Sequence, residues 1–143
     1  MENLNNAIIN LLNRSLSGDR ESAVTALVYG MLSEAKKDYL HGYLIESVRH
    51  INGGVADVAV EVTLDERKIL VIECKINSKS FKKGKIQLSN HMTNGYPVGI
   101  LICGEITEVY SLDLEDDNAI PILIDTYTNH SQLHELIEYI RNL

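Results

Sequence analysis

The sequence predicts an α/β fold, a mixed central β-sheet flanked by helices, and three features carry that prediction. Two apolar runs, residues 55–64 and 69–76, flank a polar turn at Asp65, Glu66 and Arg67, which is the pattern of a β-hairpin. A helical pattern over residues 82–93 then leads to a continuously apolar run at 98–103, as expected of a central strand covered on both faces. Amphipathic patterns at 3–16, 20–34 and 132–141 supply further covering helices. At 143 residues the chain is read as one domain spanning 1–143, large enough to bury a core and too short for two.

The elements follow in order. Residues 3–16 place Leu4, Ile8, Leu11 and Leu12 on one side of a helix that Ser17 and Gly18 end. Asp19 can cap a second helix, with Ala23, Ala26, Leu27, Gly30 and Met31 as its expected buried stripe and Glu21 in its first turn. Residues 39–51 alternate Tyr43, Ile45 and Ser47 against Leu44, Glu46 and Val48, a strand that passes through Asn52, Gly53 and Gly54 into the hairpin. The first hairpin strand sets Asp57, Ala59 and Glu61 against Val58, Val60 and Val62. The second sets Glu73 and Lys75 against Ile72, Cys74 and Ile76. After a loop at 77–80, the helix over 82–93 carries Gln87 and His91 on one face, His91 being read as a partly exposed surface residue. A turn at 94–97, the strand at 98–103, a break at Gly104, a strand at 107–112 and an acidic loop at 114–118 come next. Pro121 makes residues 120–124 a short edge strand. Ser131 caps the last helix, whose Leu133, Leu136, Ile137 and Ile140 face inward.

The chemistry concentrates at the hairpin. With Asp57 near Glu73 across the ladder, two carboxylates and the Lys75 amine converge at the mouth of an apolar element, and such charges are costly unless they pair or bind a metal. Phosphodiester hydrolysis accounts for the set. Two acidic oxygens suit a hard cation such as Mg²⁺, which keeps several waters and takes other ligands from phosphate. The cation lowers the pKa of a bound water and offsets charge building on the phosphorus, while Lys75 steadies the attacking water or a non-bridging oxygen. The plain alternative is a solvated Glu-x-Lys pair on an exposed sheet face.

Asp57, one hairpin, then Glu73-Cys74-Lys75 resembles the PD-(D/E)xK nucleases, although Ala56 stands where that family often has proline. The resemblance covers roughly residues 20–112 and implies a restriction-endonuclease-like core. It implies Asp57 and Glu73 as ligands of Mg²⁺ or Mn²⁺, the backbone carbonyl of Cys74 as a further ligand, and Lys75 as the residue that positions or helps deprotonate the water. Glu21 is similar to the helix glutamate of archaeal Holliday-junction resolvases, which implies an additional ligand; its other reading is complementing the helix dipole. Gln87 resembles the glutamine of the Gln-x-x-x-Tyr pair in RecB and type I restriction-subunit nucleases, which implies that it orients Lys75 or a phosphate. His91 replaces that tyrosine and does not inherit its role.

Composition sets the remaining bounds. Hydrophobic content of 45% and charged content of 23% describe an ordinary globular chain with no apolar run long enough for a membrane span. The start of the chain lacks the marks of a signal peptide, and Cys74 and Cys103 read as small buried hydrophobes, so a cytoplasmic location is expected. The net charge of −7 disfavours a nucleic-acid partner until its distribution is considered. Lys75, Lys79, Lys82, Lys83 and Lys85 fall in one short segment, whereas residues 86–140 contain no Lys or Arg. Lys79, Lys82, Lys83 and Lys85 are therefore candidates for tracking a phosphate backbone, the alternative being a solvated loop. The expected activity is metal-dependent hydrolysis of DNA, structure-selective or nonspecific, by a homodimer without a small-molecule cofactor. Two rivals stand beside it: a catalytically inactive nucleic-acid-binding or assembly subunit of the same fold, and an unrelated α/β domain in which the triad is coincidence.

Overall fold

The computed structural model describes residues 21–50, 54–75, 78–103, 105–129 and 131–143, with the backbone alone for 21–23 and 78. Six strands form one sheet in chain order: β1 (Tyr43–His50), β2 (Gly54–Val62), β3 (Lys68–Lys75), β4 (Val98–Cys103), β5 (Ile106–Ser111) and β6 (Ile122–Thr128). Every neighbouring pair is antiparallel except β3 and β4, which are parallel. A parallel pair needs a crossover, and helix α2 (Phe81–Met92) provides it. Helices α1 (Glu21–Glu34) and α3 (Leu133–Arg141) complete the described elements. The mixed sheet with flanking helices matches the expectation from the sequence.

Alternation along the strands builds two cores. Val58, Val60, Leu70, Ile72, Cys74, Ile100 and Ile102 face Val24, Val28, Met31 and Leu32 of α1 and Leu133, Leu136, Ile137 and Ile140 of α3. Ala59, Val71, Leu101 and Tyr110 face Leu88 and Met92 of α2, with Tyr96 just beyond the helix. Buried on both faces, β4 is the central strand its apolar run predicts. Both cysteines are buried, and neither forms a disulfide among the described residues.

Several expectations need correction. The α1 stripe is Val24, Val28, Met31 and Leu32, while Ala26 and Gly30 are exposed. This helix is apolar around most of its circumference, so periodicity alone does not fix its rotation. Residues 39–41 form a 3-10 turn (Tyr39–His41) and not strand, because Asp38 accepts the His41 N–H and Gly42, at φ +89°, reverses the chain before β1. The edge strand starts after Pro121 and runs on to Thr128, beyond the apolar residues that marked it. The last helix is capped at Gln132, not Ser131, and without a side-chain cap bond. The expected helix at 3–16 and the turn at 52–53 lie outside the described residues. Among the described residues no helix is long and apolar enough to cross a membrane.

Candidate active site

The site forms where β2 and β3 part. Their ladder runs from Glu61↔Lys68 to Val58↔Ile72, a register that sets Asp57 opposite Glu73. Beyond that pair the Asp57 side chain takes over from the backbone: its Oδ2 accepts the Cys74 N–H at 2.7 Å. On its other side β2 carries a bulge. Glu46 pairs with Ala59 and Val48 with Ala56, so Ser47 alone faces Asp57 and Val58. A bulge re-aims the side chain it carries, and here that side chain is the aspartate. The Ser47 hydroxyl fixes the bulge by donating to the Ala56 carbonyl at 2.7 Å.

Glu73 is 2% exposed, on the sheet face covered by α2. It lies within hydrogen-bonding reach of Asp57, whose carboxyl is pushed up to about 7, first by burial, then by the hydrogen bond with Glu73 and by its charge. The Cys74 N–H and the Lys75 ammonium oppose that shift without cancelling it. Two carboxylates thus share one half-buried space with an amine beside them, as expected of the hairpin. Lys75 is held by its stem. A Cβ on Gly84 would stand 3.0 Å from Lys75 Cγ and 2.8 Å from Leu101 Cδ1, so only glycine lets α2 settle this close to β3 and β4.

The donor set fits a hard divalent cation. Asp57 and Glu73 offer carboxylate oxygens beside the peptide of Cys74, and a cation there would replace the proton that the pair shares in its absence. Among the described residues no group of three or more His, Cys, Asp and Glu is arranged to hold a metal, so water, phosphate or backbone oxygen would complete the shell. Glu21 is the first residue of α1, and its side chain lies outside the described residues. The α1 side chain that feels Asp57 is Tyr29, whose phenol is raised chiefly by burial and then by Tyr39, Cys74, Glu46 and Asp57.

Gln87 and His91 share a face of α2, as the spacing requires. Gln87 is half-buried, and its buried Oε1 has no hydrogen-bond partner among the described residues. His91 is corrected outright: it is 1% exposed, not a surface residue, and its Nε2 lies 3.5 Å from Glu73 Oε2. Its Nδ1 meets His50 Nδ1 at 2.7 Å, and His50 Nε2 faces the Tyr96 hydroxyl at 3.3 Å. Neither His50 nor Tyr96 stands out in the sequence. A signal for His91 is nonetheless there, since Gly84, Leu88, His91 and Met92 form the buried stripe of α2 at helical spacing.

Lys79, Lys82, Lys83 and Lys85 are exposed, on the 3-10 turn Ser78–Ser80 and the first turns of α2. Gly84, which abuts the Lys75 stem, lies between Lys83 and Lys85 on α2. Lys85 is drawn aside, its ammonium 5.4 Å from the Phe81 ring centre and 5.9 Å from that of Tyr110. The first turn of α2 has no acid, so these lysines add positive charge to the positive end of the helix dipole. That arrangement opposes folding locally and favours an anion nearby. Compared with models of known families, with curated proteins and with solved structures, the chain has no match.

Proposed function

We propose that this chain is a metal-dependent nuclease with a restriction-endonuclease-like core, hydrolysing phosphodiester bonds of DNA. The observation that carries the reading is the convergence of Asp57, Glu73 and Lys75 at the fork between β2 and β3, with Asp57 pushed up to about 7 by burial and by Glu73. The order helix, three antiparallel strands, crossover helix and parallel strand supports the same core.

In this reading Asp57 and Glu73 hold Mg²⁺ or Mn²⁺, with the Cys74 carbonyl and Glu21 as further ligands. The bound cation would supply an acidified water and offset charge on the phosphate. Lys75, whose stem packs against Gly84, orients the attacking water or receives its proton. Gln87, whose buried carbonyl oxygen has no hydrogen-bond partner among the described residues, orients the Lys75 ammonium or a phosphate in the substrate complex. Lys79, Lys82 and Lys83 hold the phosphate backbone, and Lys85 joins them when it leaves the Phe81 ring. Cutting both strands of a duplex would call for a two-fold homodimer.

A second reading, a catalytically inactive binding or assembly subunit, draws on the net charge of −7 and on β6. There Ile122, Leu123 and Ile124 are exposed on an open edge that can template pairing with another chain. Cleavage of branched, single-stranded and duplex DNA with Mg²⁺ or Mn²⁺ separates the two. The nuclease reading expects cutting that Asp57→Asn and Lys75→Ala each abolish while binding at low salt persists. Binding without cutting under either metal would establish the second reading, and cutting indifferent to both substitutions would refute the site.

A further inference from the structure

Behind the carboxylate pair runs a line of buried polar groups drawn from four segments. Glu73 comes from β3, His91 from α2 and His50 from β1, and Tyr96 follows the turn that ends α2. Exposure is 2% at Glu73, 1% at His91, 8% at His50 and 2% at Tyr96, so water does not satisfy these groups. Gly95, at φ +116°, allows the sharp reversal that turns Tyr96 inward, and the Tyr96 N–H closes it on the Met92 carbonyl at 3.0 Å.

The geometry assigns the protons. Two ring nitrogens 2.7 Å apart share a single hydrogen, so one histidine donates from Nδ1 and the other accepts there. His91 Nε2 faces a carboxylate oxygen at 3.5 Å, where a lone pair would be repelled and an N–H attracted. His91 is therefore the Nε2–H tautomer and accepts at Nδ1, and His50 donates from Nδ1. That leaves His50 Nε2 as an acceptor facing the Tyr96 hydroxyl, which donates. The donors then run one way, from Tyr96 through His50 to His91, whose Nε2–H faces Glu73 in ion-pair range without a hydrogen bond. The reverse direction would set the His91 lone pair against the carboxylate.

We propose that His91, oriented by His50 and Tyr96, is a positioning residue that fixes the Glu73 carboxylate in the attitude needed to bind the divalent cation. This rests on the nuclease reading. At 3.5 Å the two groups are in electrostatic contact and not hydrogen-bonded, and a small approach of the Nε2–H would hold one oxygen of Glu73 and leave the other for the cation. Such outer partners tune metal affinity without touching the metal, and losing one typically costs about ten- to a hundredfold in affinity.

Two measurements on the whole chain test the proposal. In the metal-free protein, ¹⁵N–¹H long-range correlation spectra of the imidazoles should give the Nε2–H tautomer for His91 and Nδ1–H for His50. The opposite pair of tautomers would overturn it. Mn²⁺ binding, followed by loss of the free-ion electron paramagnetic resonance signal, should weaken about ten- to a hundredfold in His91→Leu. His91→Gln keeps an N–H donor and should restore most of that loss, with circular dichroism melts reporting that both variants fold. Tyr96→Phe should weaken binding by a smaller factor. Unchanged Mn²⁺ affinity in a folded His91→Leu protein would overturn the positioning role while leaving the carboxylate site intact. Failure of the unaltered protein to bind Mn²⁺ would overturn the cation site, and the proposal with it. Should His91→Leu not fold, His91→Gln and Tyr96→Phe decide: the same affinity loss in both as in an Asp57→Asn control would mean general disruption and refute the role.

Discussion

Asp57 holds its place against an electrostatic cost, and that cost depends on pH. Its folded pKa of about 7 lies above the ordinary carboxylate value, so the folded state retains a proton that the unfolded chain has lost. The favourable contribution is present at low pH and disappears as pH rises from about 4 through about 7. His50 and His91 act in the opposite sense, since burial lowers both and a neutral buried imidazole favours folding as pH rises toward its unfolded value. Comparing Asp57→Asn with the unaltered protein isolates the aspartate. Between pH 4 and pH 8, urea unfolding should shift the difference in favour of the variant by on the order of 2–4 kcal/mol, with Mg²⁺ at pH 8 returning part of it to the unaltered protein. A difference that does not change with pH would mean that Asp57 is an ordinary solvated carboxylate. The aspartate, the glutamate and the lysine were legible because each stands at a fixed parity on a short strand. His50 and Tyr96 were not, because their meeting depends on how α2 lies across β1.

On the nuclease reading, Gly84 couples α2 to the chemistry. An added methyl group there meets the Lys75 stem at 3.0 Å and Leu101 at 2.8 Å, and one of them must move. Gly84→Ala gains helix propensity of about 1 kcal/mol, which offsets much of the packing cost. Stability should therefore change by less than about 1 kcal/mol, while cleavage falls on the order of ten- to a hundredfold through misplacement of Lys75. Denaturant midpoints and initial rates on one substrate check both halves; parallel loss of both would make Gly84 purely structural. The elements themselves read well where one face alone is apolar, as in α3, whose Leu133, Leu136, Ile137 and Ile140 all face inward. The rotation of α1 was illegible because Ala23, Ala26 and Leu27 make as good a stripe on paper as Val24 and Val28. The last residues of β6 were missed because an edge strand tolerates Asp125, Thr126 and Thr128 without an apolar signature.

Across the whole molecule, charge is segregated instead of balanced. In a chain with a net charge of −7, Lys75, Lys79, Lys82, Lys83 and Lys85 fall in one short segment, so on the nuclease reading DNA should approach by that segment and with strong salt dependence. Replacing Lys79, Lys82 and Lys83 by Ala should reduce the slope of log affinity against log salt by roughly 2–3 on a duplex, with Mn²⁺ binding unaffected. An unchanged slope would move the DNA face elsewhere. The sheet order itself was only partly legible: the hairpin and the crossover gave β2 to β4, whereas the bulge that aims Asp57 depends on cross-strand register, which no local pattern encodes. Calorimetric titration of Mn²⁺ at pH 8 decides whether Asp57 and Glu73, brought together by that register, hold one divalent cation. One cation should bind per chain, binding should be lost in Asp57→Asn and in Glu73→Gln, and it should survive in Lys75→Ala. Equal binding in all three variants would contradict the account.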